Sequence, residues 1–107
     1  MKTDLKTLKP YHVRLIESGE LIETRGYSLV FEDFTGFEFI VHRSDKGSPI
    51  WEVSERTTGC LVTTKISHTR EQAIRLAYEN LIEKGIDRLR EAVNFAIEKF
   101  GEANDPR

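Results

Sequence analysis

The chain is poor in the features that announce a chemistry. It holds one cysteine, Cys60, so no disulfide can form within it, and no histidine or cysteine stands in the close pairs through which structural zinc is usually held. No metal, no cofactor and no catalytic constellation are therefore expected. No apolar run approaches the roughly 20 residues that cross a bilayer, and the polar start Met1-Lys2-Thr3-Asp4 has no secretory core behind it. A cytoplasmic protein with no membrane partner is the expectation. A bias of charge is missing too: 16 basic and 18 acidic side chains are interspersed, for a net charge of −2. Sequence-independent nucleic-acid binding rests on clustered Lys and Arg that neutralise phosphates, so nucleic acid is the weaker candidate partner.

What is present is a fold. At 107 residues the chain is long enough for one core and too short for two, so residues 1–107 are read as a single domain. Its organising stretch runs from Ile50 to Ile82. Ile50 to Glu55 alternates around Trp51 and Val53, Cys60 to Ile66 is rich in β-branched residues, and Thr57-Thr58-Gly59 between them suits a glycine-closed turn. That predicts a hairpin pairing Arg56 with Cys60 and Val53 with Thr63. The period then changes from 2 to 3.6. Thr69 and Gln72 have capping-box spacing, Ile74, Ala77, Tyr78, Leu81 and Ile82 form an apolar stripe, and Gly85 ends the helix.

Tyr27 to Asp33 and Phe37 to Arg43 are the strongest strand signals, joined by Phe34-Thr35-Gly36 with an inferred 33-to-37 pairing. In that register Tyr27, Leu29, Phe31, Phe39 and Val41 share the core face, which Trp51 and Val53 join. Ile86, Leu89, Val93, Ala96, Ile97 and Phe100 mark a second helix, and the tail over 101–107 is expected to fray. Residues 4 to 24 read two ways. Pro10 opening a short helix closed by Gly19 is preferred over a hairpin about Ser18-Gly19. The fold class is α+β: an antiparallel four-stranded meander with two C-terminal helices on one face and a short N-terminal helix.

The second sheet face supplies the candidate site. Val30, Ile40 and Val62 form an apolar strip flanked by Glu32, Glu38, Glu52 and His42, and an apolar strip with a polar rim is the makeup of an interface. The expected function is a non-catalytic interaction module that binds another protein or, through this open face, a second copy of itself as a homodimer. The alternative is nucleic-acid contact through Lys65, Arg70 and Arg75 at the start of the first long helix.

Two resemblances bear on this. An order of helix, strands, helix resembles the double-stranded-RNA-binding domain, whose second helix opens on a lysine-rich cluster, where this chain has Thr69-Arg70-Glu71-Gln72-Ala73. The segment Trp51 to Ile74, a Trp-x-Val-x-Glu-x-x-x-Gly hairpin leading into Thr-Arg-Glu-x-Ala-Ile, is similar to small proteins of bacteriophages and mobile elements. The second likeness implies an accessory role rather than an activity.

Overall fold

The computed structural model describes residues 2–15, 18–44, 49–63 and 65–104, with residues 2–5 given by backbone alone. Strands β1 (Lys2–Arg14), β2 (Leu21–Val30), β3 (Phe39–Arg43) and β4 (Trp51–Glu55) precede helices α1 (Arg70–Lys84) and α2 (Ile86–Phe100). The strands stand in sequence order, each antiparallel to the next. The expected meander with two following helices is thus the architecture, but one of its four strands, β1, comes from elsewhere in the chain and takes the place of the strand expected from Cys60 to Ile66.

The N-terminal segment forms a strand, not the preferred helix. Tyr11 and Val13 are buried and His12 between them is exposed, a period of 2 that pays off only against a sheet. Gly19, at φ +72°, takes the left-handed conformation in the turn to β2, where the alternative hairpin placed it. Pro10 is tolerated because β1 is an edge strand.

The segment from Cys60 fails to form the expected strand, and the cause is the turn before it. The Glu55 carboxylate accepts from the Thr57 amide at 2.7 Å, the Thr58 amide at 2.9 Å and the Thr58 hydroxyl at 2.7 Å. Gly59, at φ +74°, then donates its amide to the Glu55 carbonyl at 2.8 Å. The loop holds four residues instead of three, so Ser54 faces Leu61 and the expected pairing of Val53 with Thr63 is off by one. A one-residue slip exchanges faces, and Val62 accordingly joins the helix-side core.

The β2–β3 register differs by two. A 3-10 turn at Glu32–Phe34 lengthens the connection, and Tyr27 pairs with Val41 and Leu29 with Phe39. An even shift preserves the faces. Leu29, Phe31, Phe39, Val41 and Val53 are almost wholly buried against Ala73, Ile74, Ala77 and Leu81 of α1. Each large side chain so buried contributes about 1.5 to 3 kcal/mol. Ile82, placed on this stripe by spacing, is instead half exposed. Helix α2 packs on α1 through Leu89, with Val93 and Ile86 partly covered. Among the described residues no helix is long and apolar enough to cross a membrane.

The second sheet face is covered. Before Gly26, over residues 21–25, β2 pairs with β1 alone and not with β3, and the two strands cross the sheet so that Tyr11, Val13 and Ile22 pack on Ile40. Gly26 permits the close crossing, since a Cβ there would lie 2.5 Å from Ile40 Cγ2 and 2.8 Å from the Val41 oxygen. The tail expected to fray is docked over 101–104: Ala103 donates to Thr57, and the Asn104 side chain bonds both backbone groups of His12. Residues 105–107 lie outside the described residues.

Candidate functional site

The apolar strip expected on the open face does not form one surface. Ile40 lies wholly buried beneath β1, Val62 sits on the other side of the sheet, and Val30 is partly buried at the end of β2. Glu32 is exposed in the 3-10 turn, whereas Glu38 accepts from the Ser28 hydroxyl at 2.9 Å and lies 3.6 Å from Arg56 Nε. Glu52 lines an apolar groove of about 610 Å³ with Leu15, Ile66 and Phe100. His42 is 2% exposed. Its Nδ1 is 2.8 Å from the Arg43 carbonyl and its Nε2 is 2.7 Å from Ser54 Oγ. A carbonyl only accepts, so Nδ1 carries the proton, and Nε2 accepts from the Ser54 hydroxyl. Burial lowers the His42 pKa from its ordinary value, partly offset by the bond to Arg43. Both ring nitrogens are satisfied, and the pair ties β3 to β4 inside the covered face.

The basic trio also separates. Lys65 is exposed on the Leu15–Phe100 groove, and Arg75 points to solvent with Glu79 at 3.8 Å. Arg70 goes elsewhere. As the first residue of α1 it stacks its guanidinium 5.0 Å from the Tyr27 ring centre and 5.9 Å from that of Trp51. The order of elements, four strands before the first helix, is not that of the double-stranded-RNA-binding domain.

Around Arg70 lies the site that side-chain spacing missed. Trp51 opens β4 and pairs with Arg43, whose guanidinium lies 4.7 Å above the indole centre. The two aromatic rings are 6.5 Å apart, tilted by 33°. The backbone brings α1 here because the Trp51 amide donates to the Ser67 carbonyl at 2.8 Å, two residues before the Thr69 cap. The result is a groove of about 1020 Å³, walled by Leu8 and Ile22 of the crossing hairpin and rimmed by Arg25, Arg43 and Arg70, with Glu23 the only carboxylate among the described residues of its lining. Trp51 and Tyr27 are each partly buried, packing on the edge of the helix-side core while lining the groove. Trp51 lies on the expected core face, at its edge, and only the register that sets it opposite Arg43 reveals the stack.

Among the described residues no group of three or more His, Cys, Asp or Glu side chains is arranged to hold a metal ion. Comparison of the chain with protein-family models, curated proteins and solved structures finds no match.

Proposed function

We propose that the chain is a non-catalytic protein-interaction module whose docking site is the groove around Trp51. The observation that carries this reading is the pair of guanidinium groups over one partly buried indole, with Tyr27 beside it. Trp, Tyr and Arg are the residues that dominate binding energy at protein interfaces, because they combine a large contact area with fixed polar groups. The likeness of Trp51 to Ile74 to phage and mobile-element proteins supports an accessory role, with the partner a host protein met in the cytoplasm. Self-association through the second sheet face is set aside, because β1 occupies that face.

Capture from a host lysate tests the site. The wild-type chain retains a partner that an Arg43→Glu/Arg70→Glu variant of equal thermal stability does not. The same proteins retained by both would remove the groove from the reading.

A further inference from the structure

We infer that the groove takes an acidic peptide segment, whose carboxylates sit against Arg43 and Arg70 over Trp51. This rests on the groove being the docking site, and it adds the chemistry of the partner. Charge complementarity is the argument. The chain as a whole is slightly acidic, yet the described lining of this groove carries Arg25, Arg43 and Arg70 against Glu23 alone. All three cations are arginine, which stays charged at any physiological pH and presents planar donors that match a carboxylate in pairs. Arg43 and Arg70 lie over aromatic faces and both line the groove that Leu8 and Ile22 wall. Arg43 and Arg70 each make a further contact within the chain, but five donors let one guanidinium serve more than one acceptor.

The same geometry argues against a nucleic-acid strand. Strand binding needs bare aromatic faces on which bases stack and a basic track for successive phosphates. Here arginines cover the faces of Trp51 and Tyr27, and neither Lys65 nor Arg75 lines the groove to extend its charge.

Trp51 is the sole tryptophan, so its emission reports the site directly. The full chain is titrated with a glutamate peptide of about eight residues, a lysine peptide and an oligothymidylate of similar length. The expected result is a saturable change with the glutamate peptide alone that weakens as salt rises. Arg25→Glu, an exposed position on β2 with no ring contact, should weaken it roughly tenfold or more, as should Arg43→Glu/Arg70→Glu. Arg88→Glu, exposed on α2, should leave it unchanged. Tighter binding of oligothymidylate, or equal weakening by Arg88→Glu, overturns the inference. If the glutamate peptide fails to bind while lysate capture still depends on Arg43 and Arg70, the acidic partner falls and the groove stands. If capture is also independent of them, the groove falls with it.

Discussion

His42 shows how much a single register position decides. On an open sheet face it would be an ordinary surface imidazole, but the crossing hairpin buries it and its partner becomes Ser54. Burial disfavours the imidazolium, so the folded pKa lies below the unfolded value of about 6.5. The unfolded chain therefore binds the proton first. Stability from this residue is whole above the unfolded pKa and is lost as pH falls from there toward the folded pKa, with a slope approaching about 1.4 kcal/mol per pH unit. Urea unfolding at intervals from pH 8 to about pH 4.5 should show the wild type losing more stability than His42→Gln across that window. Parallel curves for the two proteins would mean that protonation of His42 costs the fold nothing.

Elements were legible where a local signal and the hydrophobic period agreed. The Thr69 cap accepts from the Gln72 amide at 3.0 Å, and Gly85 closes α1 at φ +87°. One detail differs from the reciprocal box: the Gln72 side chain accepts from the His68 amide at 3.1 Å, not from that of Thr69. Thr69→Ala should cost about 1 kcal/mol by chemical denaturation, since it orphans one first-turn donor while the packed stripe of Ala73, Ile74, Ala77 and Leu81 keeps the helix formed. A loss of helical signal in the folded variant would show that the cap, and not the packing, holds α1. The faces of β2 and β3 were also legible, because a register error of two leaves every side chain on its side. Cys60 to Ile66 was not. Its β-branched composition is that of a strand, but a carboxylate three residues before Thr58 added a residue to the turn, and nothing in strand propensity encodes that bond. The N-terminal segment was ambiguous because Tyr11 and Val13 declare a strand only once Ile40 is there to receive them. The groove was illegible for the same reason: Arg43, Trp51 and Arg70 meet through long-range pairing, while each alone reads as an ordinary strand or helix residue.

At the scale of the molecule, the crossing hairpin must be held against the sheet, and Arg14 is the residue placed to do it. Its guanidinium donates to the carbonyls of Thr58 at 2.9 Å, Gly19 at 3.0 Å, Phe100 at 3.2 Å and Gly101 at 3.1 Å, and lies 5.0 Å from the Phe100 ring centre. One side chain thus joins the end of β1, the β1–β2 turn, the turn after β4 and the end of α2, where a cation also suits the helix dipole. Asn104 reinforces the seam by accepting from His12 and donating to Arg56. Arg14→Ala removes the charged donor and leaves those carbonyls to find water, and should cost about 2 to 3 kcal/mol, within the range for bonds to a charged group. Arg14→Lys should recover only part of this, because an ammonium lacks the planar fork that reaches several carbonyls at once. The loss should also be local. Hydrogen exchange should speed up at Tyr11, Val13 and Gly59, on the seam, while the amides of α1 facing Phe31 and Phe39 keep their protection under native conditions. Equal acceleration in β1 and α1 would mean that the hairpin and the helix-side core unfold as one unit, and that Arg14 holds the whole domain together rather than the cover of one face.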